Sequence, residues 1–268
     1  VRGHVLRQEL PDDSIAVPGA PIAAGDTIDI VISLGLPDVG DSHNFAGIRM
    51  KWCPAGTFMM GADDGYWQSG SPVHEVTLTQ GFWMGKHEVT QAQWEAVMGS
   101  NPSDLLGDRR PVDQVSWDDV QSFIAALNAQ TGETFRLPTE AEWEYACRAD
   151  TTTAYSFGDD PEDLGDYAWF EGNIPNANQH PHVVGRKLPN PWGLFDMHGN
   201  VREWCQDRYG SHYYASSPSA DPWGPESGSD RVARGGSFSN GADECRSAIR
   251  DYYPMDFWCT DIGFRLVR

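Results

Sequence analysis

The residues with the most chemical potential in this chain run in the order Asp196-Met197-His198-Gly199-Asn200-Val201-Arg202-Glu203. Two carboxylates seven positions apart, with a glycine between them that lets the backbone turn its carbonyls inward, suit a hard, oxygen-seeking cation such as Ca2+. A structural turn, with Asp196 as a cap and Glu203 in a salt bridge, is the competing reading. His180 and His182, in Gln179-His180-Pro181-His182, carry imidazoles able to hold a transition metal. No third ligand stands near them, which favours a solvated loop. His74, His87 and His198 read as structural hydrogen-bonding groups. The five cysteines, at positions 53, 147, 205, 245 and 259, include no CxxC pair and are odd in number. That pattern argues against a zinc ribbon and leaves at least one thiol unpaired within the chain. No catalytic residue is assigned.

A second group of residues is suited to recognition. Phe238, Asp243, Tyr252, Tyr253, Phe257 and Trp258 crowd the last thirty or so positions. Large aromatics in loops supply contact area at low entropic cost. The competing reading packs about half of them into the domain's own core.

These residues sit on an acidic chain of 268 residues, long enough for one large domain or a medium domain with a small appendage. Its net charge of −20 repels phosphate backbones and anionic headgroups. Nucleic acid is therefore excluded as the expected partner. The longest apolar stretches, such as Ile28 to Leu36, fall well short of the roughly 20 residues a membrane helix needs, so no membrane insertion is expected. No basic, then apolar, leader follows Val1, so a secretory signal is expected to be absent or already removed.

Three helices are announced by a hydroxyl with an acid or amide three residues on, the reciprocal cap that satisfies orphaned donors. They start at Thr90 with Gln93, at Ser116 with Asp119 and at Thr139 with Glu142. The second carries Val120, Phe123, Ile124 and Leu127 at helical spacing, which predicts one buried stripe, and should stop near Gly132. Beyond residue 150 no helical period survives two turns, so that half should be loops over a few short strands. Residues 1–44 read as a small β segment, with a strand over Thr27–Gly35, followed by a linker. This piece resembles the C-terminal half of a PASTA repeat. The main domain spans 45–268.

Six segments of the main domain carry a resemblance: Gly81 to Gln91, Pro111 to Trp117, Arg136 to Ala146, Asn190 to Trp204, Arg234-Gly235-Gly236-Ser237 and Ile262-Gly263-Phe264-Arg265. In this order they resemble the formylglycine-generating enzyme, or sulfatase-modifying factor, family. The resemblance implies an α+β fold, that family's variant of the C-type lectin fold, loop-rich with short strands and about three helices. It also implies calcium at the side chains of Asp196 and Glu203 and the backbone oxygens of Gly199 and Val201. A second calcium site of the family, around Tyr167 to Phe170, is not carried over. Members that oxidise a cysteine to formylglycine hold copper on two cysteines shortly after the Arg-Gly-Gly-Ser motif. Here that segment holds Cys245 alone, so copper oxidation is not expected. A disulfide between Cys147 and Cys245 and a pair of buried free thiols both remain open. Some proteins of this fold are the variable proteins of diversity-generating retroelements, and this chain looks similar between Arg-Gly-Gly-Ser and Gly-Phe-Arg.

The leading expectation is a bacterial binding protein that recognises a protein or peptide ligand through its C-terminal aromatics, with the PASTA-like start leaning toward a surface or extracytoplasmic location. The alternatives are a metal-dependent oxidase, with Ser237, Cys245, His180 and His182 as candidates, and an accessory domain of a kinase or protease system.

Overall fold

Thr90, Ser116 and Thr139 each accept a hydrogen bond from the N–H three residues on, while Gln93, Asp119 and Glu142 reach back to the cap's own N–H. These reciprocal bonds fix the starts of α1 (Gln91–Met98), α2 (Trp117–Thr131) and α3 (Glu140–Arg148) where the sequence places them. α2 stops at Gly132, whose φ of 72° is the left-handed conformation that glycine adopts without steric cost. The stripe Val120, Phe123, Ile124 and Leu127 is buried. It meets α1 through Trp94, whose ring lies parallel to that of Phe123 at 5.0 Å. A fourth helix, α4 (Leu164–Tyr167), is a single turn that no period announces.

The computed structural model describes residues 4–9, 27–32, 36–66, 70–174 and 180–268 and divides into two units, Val1–Asp38 and Val39–Arg268. In the first, β1 (His4–Glu9) pairs antiparallel with β2 (Thr27–Ile32), so the predicted strand is present as far as Ile32, and 33–35 lie outside the described residues. The second unit starts earlier than the sequence suggested. Residues read as linker form β3 (Ser42–Phe45), which pairs with β4 (Ile48–Cys53), and β4 pairs in turn with β7 (Phe82–Gly85). The polar, glycine-containing texture of 36–44 masks this strand because it is an edge, exposed along most of its length.

Between them, β5 (Gly56–Met60) and β6 (His74–Leu78) form a two-stranded ribbon. The loop-rich second half is organised by one sheet of β8 (Arg202–Arg208), β9 (Asp230–Arg234), β10 (Arg250–Pro254) and β11 (Ile262–Gly263), in the order β10-β9-β8-β11. The strands are antiparallel except β11, which runs parallel to β8. The architecture is thus mixed α+β and loop-rich. Among the described residues no helix is long and apolar enough to cross a membrane.

α3 lies at the centre, with all nine of its residues buried. Its three glutamates are tolerated there because each meets a guanidinium: Glu140 with Arg250 at 2.7 Å, Glu142 with Arg136 at 2.6 Å, and Glu144 with Arg148 at 2.8 Å and with Arg234. Trp143, Tyr145 and Cys147 of the same helix join the larger core with Trp192, Leu194 and Met197. α3 is therefore a rigid block against which the sheet and the 190–204 turn are set.

Candidate functional site

The Asp196–Glu203 turn is held in a conformation that side chains rarely adopt. Asp196 and Asn200 have φ of 60° and 70°, a left-handed geometry that short polar residues reach most readily among non-glycine types. Gly199 is required by close approach: a Cβ there would lie 2.3 Å from the Trp169 carbonyl, which accepts the Asn200 N–H at 2.8 Å. Asp196 Oδ2 accepts the Gly185 N–H at 2.7 Å, and Asn200 donates to Glu88 Oε1 at 2.9 Å.

Glu203 leads into β8. Its Oε1 faces Arg265 at 2.5 Å, and its Oε2 accepts from Arg265 at 2.6 Å and from the Trp143 indole at 2.8 Å. The salt bridge named as the alternative for Glu203 is therefore present. Glu88, Asp196 and Glu203 form a buried group of three carboxyls beside one guanidinium. Burial, opposed in part by the Gly185 N–H and Arg265, pushes the Asp196 carboxyl up to about 6, and burial with the neighbouring acids raises Glu88. Asp196 Oδ1 and Glu88 Oε2 are buried without a hydrogen-bond donor. The Asp196 and Glu88 carboxyls lie within hydrogen-bonding reach of each other, so a proton shared between them or a hard cation at Asp196 would satisfy these oxygens. Among the described residues, however, no group of three or more His, Cys, Asp or Glu side chains is arranged to hold a metal. Glu203 suits a cation less, because both oxygens already serve Arg265 and Trp143. Glu88 was not anticipated, although it stands in the Lys86-His87-Glu88-Val89-Thr90 segment.

The C-terminal residues separate into three environments. Tyr252 is 42% exposed on β10, the edge of its sheet, and stacks on Tyr209 with rings 3.9 Å apart. Trp258 is 58% exposed, and Asp243 is exposed on a short 3-10 turn. Tyr253 and Phe257 are half-buried, stacked on each other at 4.6 Å, with Tyr253 set edge-on to Trp204. Phe238 is only 3% exposed, which removes it from the expected ligand surface. Its N–H bonds to the Asn200 carbonyl at 2.9 Å, tying it to the Asp196–Glu203 turn and its side chain into the interior.

A polar network holds this segment in place. Arg202 bonds Asp251 at 2.8 Å and also pairs with Asp261. Asp261 in turn accepts from Ser239 at 2.7 Å and from the Cys259 thiol at 2.8 Å. Each end of the aromatic segment is thus pinned to β8 through charged hydrogen bonds, the stronger kind.

The sulfatase-modifying factor enzyme 1-like domain family matches residues 38–268. The chain belongs to that family. It is 36% identical to the formylglycine-generating enzyme of Streptomyces coelicolor over 190 residues, which cover 66% of this chain and 58% of that protein. The chain thus spans a little over half of that curated relative. Among solved structures, Treponema denticola variable protein 1 is 31% identical, with a TM-score of 0.77, over 85% of this chain and 98% of that one. PvdO from Pseudomonas aeruginosa is 27% identical, also with a TM-score of 0.77, over 87% and 99%. The fold is accordingly the family's C-type lectin variant.

In this family member four of the five cysteines are buried and Cys259 is partly buried. All five described cysteines are free. Cys147 contacts Ser247 at 3.6 Å and the His198 ring, so the Cys147–Cys245 disulfide left open by the sequence is not formed. Cys245 is buried, and burial pushes its thiol up to about 12. Ser237 is buried, its hydroxyl 2.8 Å from Asn240 Oδ1 and 3.0 Å from Asp261 Oδ2, with no histidine bonded to it.

The two loop histidines diverge. His180 faces Asp104 at 3.7 Å, whereas His182 stacks on Trp169 at 3.9 Å. His198 is structural, as expected: it accepts the Ser156 N–H at 3.1 Å and lies 2.9 Å from the Cys245 carbonyl as donor. Burial holds it down to about 4 and hence neutral.

One feature has no local signature in the sequence. A cleft of about 550 Å³ opens between β5, the end of α3 and the 151–154 loop, with Phe58, Met59, Tyr145 and Arg246 among its walls. Arg246 pairs with Asp64 at 2.5 Å across a sequence gap of 182 residues, a juxtaposition that only the fold creates.

Proposed function

We propose that this family member is a binding protein whose ligand, a protein or peptide, is recognised by Tyr252 and Trp258 with the Asp243 turn. The observation that carries the reading is the exposure of two large aromatics on a segment whose backbone is pinned through Arg202, Asp251 and Asp261. Rigid aromatic anchors lose little entropy on binding and dominate interface energetics. The likeness to Treponema denticola variable protein 1 supports it, as does the presence of Cys245 alone in the segment where the resemblance implies a copper-holding cysteine pair in the oxidases. A retroelement-diversified receptor is the finer form of the same reading. It predicts that substitutions between sibling strains concentrate between Arg234-Gly235-Gly236-Ser237 and Ile262-Gly263-Phe264-Arg265.

Two assays test the proposal. Panning a random peptide library on the protein should enrich ligands. A thiol-bearing peptide incubated with the protein and copper(I) should yield no formylglycine. Aldehyde in the product, or a library that enriches nothing, overturns the reading.

Calcium belongs to the proposal as a rigidifying ion at Asp196, with the carbonyls of Gly199 and Val201. Ca2+ at a hundredfold excess over its dissociation constant stabilises by about 2.7 kcal/mol, a rise in thermal midpoint of roughly 5–10 °C for a domain of this size. Asp196→Asn should abolish the rise. If the wild-type midpoint does not move with calcium, the ion is not bound and the buried acids are balanced by a proton instead.

A further inference from the structure

We propose that a second cavity, remote in sequence from the aromatic segment, is a binding site for a small oxyanion held by Arg49 and Arg109. The cavity measures about 350 Å³ and lies between β4, the β7–α1 connection and the loop before Pro111, with His87, Thr90, Gln93 and Val184 among its walls. A volume at the low end of small-molecule sites suits a compact ligand rather than a polypeptide.

The charge arrangement is the main argument. In a chain of net charge −20, basic side chains have an excess of carboxylates to choose from, and Arg136, Arg148, Arg202, Arg234, Arg250 and Arg265 are all ion-paired. Arg49 and Arg109 are not, and although Lys86, Arg110, Arg208 and Arg231 are also without an ion pair among the described residues, Arg49 and Arg109 line the same cavity. Both are exposed, and among the described residues neither forms an ion pair.

Their fields converge instead on His87. After burial, the groups that hold its imidazole down to about 4 are Arg265, Lys86, Arg49 and Arg109. Lys86 is likewise pushed down, by burial first and then by Lys51 and Arg49. Cations that repel one another around a polar cavity leave a positive potential there, which an anion relieves. The carboxyl lining the cavity, Glu88, is buried, and its Oε1 is taken by Asn200.

Backbone amides do not supply the site. The first amides of α1 are already committed, Gln91 N–H to the Arg110 carbonyl at 2.9 Å and Ala92 N–H to the Asp108 carbonyl at 3.1 Å. Recognition therefore rests on the two guanidinium forks, whose planar donor pairs match carboxylate and phosphate oxygens. The shared ligand chemistry is a compact group with two or more anionic oxygens.

Isothermal titration with inorganic phosphate and, separately, with citrate tests this and distinguishes phosphate from carboxylate ligands. Wild-type protein at low ionic strength should bind at least one of them. Arg49→Gln and Arg109→Gln should each weaken that binding about 10-fold or more, as loss of a hydrogen bond to a charged group does. Arg208→Gln, outside the cavity, should leave it unchanged. In anion-free buffer the two cavity variants should melt at or above the wild-type temperature, because each removes a repulsion. The proposal is overturned if neither anion binds, or if the cavity variants bind as tightly as wild type.

Discussion

Arg265→Met should lower the stability of the Val39–Arg268 unit by about 3–5 kcal/mol, the cost of leaving a buried charge without its partner, and the thermal midpoint by about 10 °C or more. The guanidinium has no exposed surface, and it binds both oxygens of Glu203, the Gly85 carbonyl at 3.1 Å and the Phe195 carbonyl at 2.9 Å. Removing it leaves Glu88, Asp196 and Glu203 beside one another with no counter-charge from the chain. Glu203→Gln in the same background should recover part of the loss, since it deletes one buried charge while its side-chain oxygen can still accept the Trp143 indole N–H. Thermal melts of the two single variants and the double variant measure the coupling. If Arg265→Met alone melts like wild type, Arg265 does not balance this cluster and the arrangement described is wrong.

Trp258→Ala should weaken binding of library-selected peptides by about 2 kcal/mol, roughly 30-fold, the size of an interface hot spot, with no change in thermal midpoint. The indole is more than half exposed, so its loss opens no cavity. Tyr252→Ala should cost less, about 1 kcal/mol, because Tyr209 lies against it and keeps aromatic surface at the same place. Phe238→Ala is the opposing control. It deletes a buried ring and should destabilise the fold by about 3–5 kcal/mol. Fluorescence polarisation with a labelled selected peptide, alongside thermal melts, separates the two effects. Equal peptide affinity in wild type and Trp258→Ala would remove the aromatic surface from the proposed function.

Tyr253 and Phe257 show why the binding residues were only partly legible. Both are aromatic, and both sit in the same short segment as Tyr252 and Trp258. Their stacking on one another and against Trp204 depends on where β8 passes, and composition carries no information about that. The buried position of Phe238 has the same origin, a backbone bond to Asn200 at a distance of 38 residues in sequence.

The sequence by itself determined the starts of α1, α2 and α3 and the end and buried stripe of α2, because those signals lie within a few residues of one another, and the family, because six motifs occur in one order along the chain. A capping box spans four residues and the α2 stripe eight, so no distant partner is needed to specify either. Tertiary structure alone decided which acid meets which base. Glu203 is drawn to Arg265 and Trp143, Arg246 to Asp64, and Arg49 and Arg109 come to line one cavity beside His87. Electrostatic pairing acts through space with no periodicity along the chain, so only the folded arrangement assigns it.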